Sequence, residues 1–319
     1  MITKRNRTLW LRVTISLVLI TWFVKAFDWR QIMEILLDAQ VQWLVVAIIW
    51  IIAAVLVSTF KWQIILRAQG LDLRFKRLWQ IYWMGLFFNN FLPSSIGGDA
   101  LRIFWVGKDT QDSPGAATSV VIERILATTA LALVGLVGCL LVVNPWYEVI
   151  GMFLLLIIMT ICLLMLIIFG KLPAFILKRK NRVTQFLLGL TNHGQNVRKR
   201  PVAILWVLVW SVVFQVCVVG TNYAVFRGLN LTVGWFELLY VIPVTSVAAM
   251  LPLGINGYGV REGAYVLLLR PYNIPEAGAF TASILFALLV SVCSLWGGWL
   301  WLRKDYRRGI ELGSTSQKV

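Results

Sequence analysis

The sequence contains little charge, and very little histidine or cysteine, for its length. Charged residues make up 14% of its 319 residues, and it holds one histidine, His193, and four cysteines. Soluble domains carry about 25% charged residues, so a water-soluble enzyme and a disordered chain are both excluded. The cysteines stand in separate apolar runs, and a lone histidine cannot build a metal cluster. We therefore expect neither a disulfide framework nor a metal site.

Sequence motifs of catalysis are also missing. There is no glycine-rich P-loop, no nucleophile elbow, no His–Glu metal motif and no dinucleotide fingerprint. We therefore predict that the protein binds no cofactor and is not an enzyme. An integral-membrane enzyme is a minor alternative, in which Asp99 and Glu123 would form the acid–base pair.

Apolar residues, in contrast, are abundant: they make up 59% of the chain, against about 45–50% in soluble domains. A helix that crosses the hydrocarbon core needs about 20 mostly apolar residues. The composition predicts an all-α polytopic membrane protein, a single membrane domain over residues 1–319 with a polar tail at 303–319. Six stretches are long enough for full spans, and they are Leu9–Phe27, Val41–Phe60, Ile125–Tyr147, Val149–Gly170, Pro201–Phe226 and Ala277–Leu302.

Two further apolar stretches, Leu78–Gly98 and Leu238–Val260, are interrupted by proline and glycine. Loop charge indicates how they run, because lysine and arginine collect in cytoplasmic loops. The basic loop at 171–200 stays inside only if the first broken stretch, Leu78–Gly98, enters the membrane and returns on the same side. We therefore predict two re-entrant segments. The interrupting residues are Pro93, Gly97 and Gly98 in the first stretch and Pro252, Gly257 and Gly259 in the second.

The distribution of charge supports this topology. With six spans and two re-entrant segments, the inside carries 25 basic and 7 acidic residues, and the outside carries 5 basic and 7 acidic residues. Both termini are then cytoplasmic. The net charge of +16 is explained by orientation in the membrane, and we expect no nucleic-acid partner. The inside intervals are 1–12, 61–77, 99–124, 171–200 and 303–319.

One constant shift along the chain superimposes the two broken stretches, so that Pro93 falls on Pro252 and Arg102 falls on Arg261. By the charge argument, the halves at about 9–147 and 149–302 run in opposite directions through the membrane. Broken helices paired in inverted halves are typical of secondary transporters, whose irregular backbone lines a cavity. The alternative is that both breaks are kinks in ordinary helices.

Ionisable residues cluster around the two breaks, and such residues inside a membrane are functional candidates because they are costly there. Arg102, Arg124 and Arg261 offer forked donors suited to a phosphate, and the glycines at the breaks would let backbone N–H groups approach an anion. We expect these groups to bind a phosphate-bearing anion. The alternative is that the charges form structural ion pairs that hold the breaks in place.

Other polar residues have supporting roles in this interpretation. Ser113 and Pro114 are typical of a helix start, which places the Glu123–Arg124 pair two to three turns into that helix. Three acids would neutralise the arginines in the empty state or bind a coupling cation: Asp99, Glu123 and Glu262. Three asparagines would satisfy backbone groups freed by the breaks: Asn89, Asn90 and Asn256.

Three motifs together resemble the membrane region of lysylphosphatidylglycerol synthases, a group also called the flippase-like domain family. The resemblance covers nearly the whole chain and implies a protein of the prokaryotic cytoplasmic (inner) membrane that moves a phosphate-bearing lipid between leaflets. No aminoacyl-transfer domain follows before Val319, so we do not expect synthase activity. The motifs are Asn90-x-Leu92-Pro93-x-x-x-Gly97-Gly98-Asp99-x-x-Arg102, then Glu123-Arg124, then Leu251-Pro252 with Gly257-x-Gly259-x-Arg261-Glu262-Gly263.

These observations lead to one main hypothesis and two alternatives. The main hypothesis is a lipid translocator that binds the head group of a phospholipid or a polyprenyl-phosphate-linked lipid between the two re-entrant segments. One alternative is a secondary transporter of a small solute or ion with similar architecture. The other is a non-transporting membrane partner of a lipid-modifying or glycosyl-transfer enzyme, a lipid-synthesis enzyme included.

Overall fold

The computed structural model describes residues 29–91, 97–142, 146–170, 182–251 and 257–303. All regular structure in these ranges is helical, and a short 3-10 turn at Arg270–Tyr272 follows the tenth helix. The helices are α1 Trp29–Leu37, α2 Val41–Ala68, α3 Phe75–Phe91, α4 Gly97–Thr110, α5 Ser113–Leu141, α6 Tyr147–Phe169, α7 Arg182–Arg198, α8 Pro201–Gly228, α9 Trp235–Met250, α10 Val260–Leu269 and α11 Glu276–Leu302.

Five of the described helices, α2, α5, α6, α8 and α11, are long and apolar enough to cross a membrane. Each of them overlaps a predicted span, so the prediction of an all-helical, multi-pass membrane protein is confirmed at this level. Large apolar side chains are exposed on these helices, for example Leu155, which is 66% exposed on α6. A helix that is apolar on all sides suits lipid surroundings. The sixth predicted span, Leu9–Phe27, lies outside the described residues.

The end of α2 and the cap of α5 differ from those expected. α2 continues beyond Phe60 to Ala68, because no helix-breaking residue occurs before Gly70, which adopts a φ of +88°. α5 begins at Ser113, but its capping side chain is that of Asp112. The Oδ1 atom of Asp112 accepts the backbone N–H of Gly115 at 2.8 Å, so the cap lies one residue earlier than the sequence suggested.

Each broken stretch forms two helices that pack against each other, α3 with α4 and α9 with α10. We call these pairs the first and the second hairpin. In the first hairpin, the backbone N–H of Gly98 donates to Oδ1 of Asn89 at 2.8 Å, and Gly98 lies against the backbone of Gly85. In the second hairpin, Gly257 adopts a φ of +76° and lies against Ala249.

The described residues form two compact units, each with one hairpin. The Arg102 unit comprises Val55–Ile125, Leu163–Val207 and the residues from Ser291 onward. Its apolar core combines α2, α3, α4, α5 and α11 around buried Trp62 and Met84. The Arg261 unit comprises the described residues up to Ala54, together with Leu126–Cys162 and Leu208–Val290.

In each unit, a glycine also allows a very close contact between a long helix and the hairpin. In the Arg261 unit, Gly138 of α5 lies against the backbone of Leu239 on α9. In the Arg102 unit, Gly297 of α11 lies against the backbone of Trp83 on α3. Small residues let helix backbones approach closely, which is the usual basis of helix association in membranes. Both hairpins are therefore held tightly by a long helix.

Candidate functional site at the two helix breaks

Arg102, on the second turn of α4, is enclosed on every side. The residue is 2% exposed. Its Nη2 atom donates to Oε2 of Glu123, and its Nη1 atom donates to Oδ1 of Asp99 at 3.3 Å. The guanidinium carbon lies 4.1 Å from the ring centroid of Trp62 and 4.4 Å from that of Tyr82. Carboxylates thus satisfy the charge at its edge, while aromatic rings stack on the cation.

Glu123 joins this arginine to a second buried cation. Lys61 of α2 places its Nζ atom 3.5 Å from Oε1 of Glu123, and the two side chains are 2% and 3% exposed. The next residue of α2, Trp62, donates through Nε1 to the Oγ atom of Ser119 on α5 at 3.0 Å. α2 and α5 are therefore fastened together beside the carboxylate by one ion pair and one hydrogen bond.

Asp99 and Arg124 form the outer part of the same network. Arg124 donates from Nε and Nη2 to the two carboxylate oxygens of Asp99, each at 2.8 Å. The side chain of Asp99 is 16% exposed and that of Arg124 is 52% exposed, so Arg124 is the most exposed of the three cations described in this network. Among the residues that the structure describes, the network with Lys61 and Arg102 contains three cations and two carboxylates, one positive charge more than negative.

Gly85 on α3, which has no side chain, leaves space for Arg102. A Cβ atom added at Gly85 would lie 2.9 Å from Cγ of Arg102 and 3.2 Å from the carbonyl oxygen of Gly98. Glycine at 85 therefore lets α4 approach α3 and lets the arginine stem pass between them. Among the described residues, the Nε atom of Arg102 is buried without a hydrogen-bond partner.

Arg261, the second residue of α10, has very different surroundings. Its backbone N–H donates to the carbonyl of Gly257 at 2.9 Å, and its guanidinium carbon lies 5.8 Å from the ring centroid of Phe286 on α11. The residue is partly exposed. Within the part of the chain that the structure describes, no carboxylate lies within 4.0 Å of this guanidinium.

The adjacent Glu262 is turned away from Arg261 and caps its own helix. Its Oε2 atom accepts the backbone N–H of Gly259 at 2.6 Å, and its Oε1 atom accepts from the hydroxyl of Ser283 at 3.3 Å. The residue is 4% exposed. Since Gly259 adopts a φ of +86°, Glu262 holds a backbone turn that favours glycine. Its carboxylate is therefore a structural group at the start of α10.

The structure divides the predicted site residues between the two units. Arg102, Arg124, Asp99 and Glu123 form one network, with Gly97, Gly98 and Asn89 beside it and Asn90 following Asn89 on α3. Arg261, Glu262, Gly257 and Gly259 lie together in the other unit. Pro93, Pro252 and Asn256 lie outside the described residues.

The sequence interpretation overlooked four residues that complete the network in the Arg102 unit. The sequence predicts Lys61 in a cytoplasmic loop, because the apolar run ends at Phe60. The sequence signal that places Lys61 on α2 is the lack of a helix-breaking residue before Gly70. The other three carry no motif of their own: Trp62, Tyr82 and Ser119.

Equivalent contacts recur in the two units at matching positions along the chain. Helix α2 starts at Val41 and helix α8 at Pro201. After α2 the N–H of Leu71 donates to the carbonyl of Leu66 at 2.9 Å, and after α8 the N–H of Leu231 donates to that of Phe226 at 2.9 Å. In these turns, Gly70 and Asn230 both have positive φ. The number of residues that separates Val41 from Pro201 also separates Leu66 from Phe226, Leu71 from Leu231 and Gly70 from Asn230.

The helices after the hairpins correspond in the same way. α5 starts at Ser113 and α11 starts at Glu276. A Cβ atom added at Gly115 would contact Leu71, and one added at Gly278 would contact Leu231. Counted from the two helix starts, Phe286 occupies the position of Glu123. Each hairpin arginine thus faces this position of the following helix, which holds a carboxylate in one unit and an aromatic ring in the other.

Comparison with known proteins shows which sequences this chain is similar to. The family described as "Lysylphosphatidylglycerol synthase TM region" matches residues 9–297. A UPF0104 membrane protein of Methanocaldococcus jannaschii is 23% identical over 283 residues, which is 81% of this chain and 83% of the relative. A UPF0104 membrane protein of Pyrococcus horikoshii is 20% identical over 305 residues, which is 87% of this chain and 90% of the relative.

Proposed function

The chain belongs to the family of the lysylphosphatidylglycerol synthase TM region, and we propose that it is a translocator of phosphate-bearing lipids. The head group binds arginines beside the two helix breaks while the tails stay in the bilayer. The observation that carries the proposal is positive charge in excess of carboxylate among the described residues at the breaks. The described network of Arg102 has three cations and two acids, and no described carboxylate lies within 4.0 Å of the guanidinium of Arg261.

Excess positive charge inside an apolar helix bundle favours the binding of a mobile anion. Burying a charged side chain in a membrane costs about 2.5–3.5 kcal/mol even on the mildest scales. The cost is reduced when an anion supplies the missing counter-charge, and guanidinium forks match phosphate oxygens in a bidentate geometry. In the Arg102 unit, Arg124 is the exposed contact for such an anion, and in the Arg261 unit Arg261 itself is the contact.

The repeated contacts support an internal repeat of the two halves. Its two copies run in opposite directions, because the basic residues of the loops fall on one side of the membrane only in that arrangement. The two hairpins then enter the membrane from opposite faces, the first from the cytoplasm. Transporters with inverted repeats place broken helices near their binding sites, where backbone freed at the break lines a polar cavity. The termini lie in the cytoplasm of a prokaryotic cell.

The charged residues of the site bind the lipid head group and neutralise its charge. No covalent bond of the lipid is made or broken. Glu123 is engaged by two cations and Glu262 by a backbone N–H and a hydroxyl. Neither carboxylate is therefore placed as a free acid or base. We expect the lipid to leave the protein with its covalent structure unchanged, as mass spectrometry of lipids extracted before and after incubation would show.

A liposome assay tests the proposal. The purified full chain is reconstituted in phosphatidylcholine vesicles with a trace of head-group-labelled phosphatidylglycerol, and a membrane-impermeant quencher reports the label in the outer leaflet. We expect protein to expose inner-leaflet label to the quencher. Vesicles with protein that quench like protein-free vesicles, for this lipid and for a labelled polyprenyl phosphate, would overturn the proposal.

The site assignment is tested by paired arginine variants in the same assay. Arg124→Ala combined with Arg261→Ala removes the proposed anion contact of each unit and should abolish exposure of inner-leaflet label. The matched control is Arg74→Ala combined with Arg270→Ala, which removes one exposed arginine from each unit away from the breaks. Equal rates for the two double variants would show that the arginines beside the breaks do not bind the head group.

A further inference from the structure

We infer that Arg261 is the residue that takes the phosphate of the lipid head group in the conformation described, and that Arg102 is withheld from it. This inference rests on the proposed function and selects between its arginines. It starts from the two residues that face the hairpin arginines. Glu123 neutralises Arg102, whereas Phe286, at the corresponding position of α11, gives Arg261 a ring without charge.

Arg102 is withheld by geometry as well as by charge. Both its terminal nitrogens are engaged by carboxylates, and the rings of Trp62 and Tyr82 lie with their centroids 4.1 Å and 4.4 Å from its guanidinium carbon. At 2% exposure, an incoming phosphate would have to displace Glu123 from the interior of the unit. Arg102 would then pair with the phosphate, but Glu123 would lose its pair with Arg102 and keep only the one with Lys61. The number of ion pairs would therefore not increase.

Arg261 has the opposite properties. It is partly exposed, and none of the acids that the structure describes lies within ion-pair distance. The carboxylate next to it in sequence, Glu262, is held by Gly259 and Ser283 and is nearly fully buried. Binding of a phosphate at Arg261 therefore breaks no existing ion pair, and it supplies a counter-charge that the described residues lack.

This arrangement also defines the ligand by its chemistry. The group bound has at least one full negative charge on phosphate oxygens, because a forked guanidinium pairs best with such an oxyanion. The ring of Phe286 beside the guanidinium provides an apolar neighbour for the glycerol or isoprenoid carbons next to the phosphate. The ligand class is an anionic lipid phosphate. Free phosphate has the negative charge of this class but lacks its apolar carbons.

The experiment measures binding of a short-chain lipid to the purified full chain in detergent. Dioctanoyl phosphatidylglycerol is titrated and its dissociation constant is obtained by native mass spectrometry. Dioctanoylglycerol, which lacks the phosphate, should bind at least about tenfold more weakly, a difference of about 1.4 kcal/mol. Displacement of the lipid by inorganic phosphate would support a site for the phosphate group itself. Equal affinity for the two lipids would overturn the inference.

The variants separate Arg261 from other arginines. Arg261→Gln should weaken phosphatidylglycerol binding by about tenfold or more, while Arg270→Gln, an exposed arginine of the same unit, should leave it unchanged. A folded Arg261→Gln protein, judged by its thermal transition, that binds with wild-type affinity would overturn the inference. If the wild-type protein binds and moves the lipid in that case, the proposed function stands. If the wild-type protein binds none, both fail.

A second pair of variants keeps Arg261 and changes Phe286, the residue that faces it. Phe286→Glu places a carboxylate where the other unit has Glu123, and Phe286→Gln has nearly the same size without the charge. We expect the Glu variant to bind phosphatidylglycerol about tenfold more weakly than the Gln variant, because its carboxylate occupies the guanidinium. Equal affinity of the two would overturn the inference even if Arg261→Gln failed to fold.

Discussion

Glu123 accepts a hydrogen bond from Arg102 in the interior of the Arg102 unit, where the two side chains are 3% and 2% exposed. The same carboxylate also faces the ammonium of Lys61 at 3.5 Å. One acid therefore serves two buried cations that lie on different helices. The position of this single carboxylate has consequences for stability that are open to measurement.

Glu123→Gln should destabilise the protein by about 3–5 kcal/mol, because it leaves Arg102 and Lys61 buried beside a neutral amide. The measurement is the free energy of unfolding in detergent, followed by circular dichroism against denaturant. Asp109→Asn provides the control. It removes a carboxylate from the pair Arg77–Asp109, whose side chains are 28% and 22% exposed, and should cost less. Equal losses would contradict the role of burial.

Gly98→Ala should disrupt the first hairpin, because the added methyl group meets the backbone carbonyl of Gly85, which cannot rotate away. Overpacking of this kind costs about 1–3 kcal/mol, and the lipid-exposure rate should fall with it. Gly151→Ala on α6 is the control, since a Cβ atom there meets nothing within 4 Å. A Gly98→Ala protein with the stability and rate of Gly151→Ala would show that the close contact is unimportant.

Asp99→Asn should strengthen the binding of phosphatidylglycerol, because it releases Arg124 from a bidentate ion pair and raises the net charge of the network from one positive charge to two. An increase in affinity of up to about tenfold is expected, measured by titration of the short-chain lipid. The same substitution in an Arg124→Gln background should give no increase. A gain that persists there would exclude Arg124 as its source.

Cysteine labelling tests the opposite orientation of the two halves. Asp72 and Thr232 are exposed residues at equivalent positions in the matching loops, two residues after Gly70 and Asn230. In a chain whose four native cysteines are replaced by alanine, Asp72→Cys should react with an impermeant maleimide only from the cytoplasmic side. Thr232→Cys should react only from the outside. Labelling of both from one side would rule out the inverted arrangement.

Much of the helical architecture could be predicted from sequence, because apolar length and loop charge act through general properties of the bilayer. All five described long helices were recognised from apolar runs. The end of α2 was missed for a physical reason. Lys61 looks like a residue at the membrane surface when only its own charge is considered, whereas Glu123, on a helix far along the chain, makes an interior position acceptable.

The arginines were recognised as candidates from sequence, but the difference between them was not accessible. Arg102 and Arg261 have the same offset from a break, and sequence treats them alike. Their surroundings depend on a single position of the following helix, Glu123 in one case and Phe286 in the other. The constant shift that superimposes the breaks did not align these two positions, because the connection before α11 is longer than the connection before α5.

The enclosure of Arg102 by Trp62 and Tyr82 has a mechanical consequence. The two rings belong to α2 and α3, and the cation that they cover belongs to α4. Sliding any of these helices past another would strip a guanidinium of its aromatic cover inside an apolar interior. These three helices are therefore expected to move together as a rigid body, and the conformational change that the proposed transport requires would have to come from segments elsewhere in the chain.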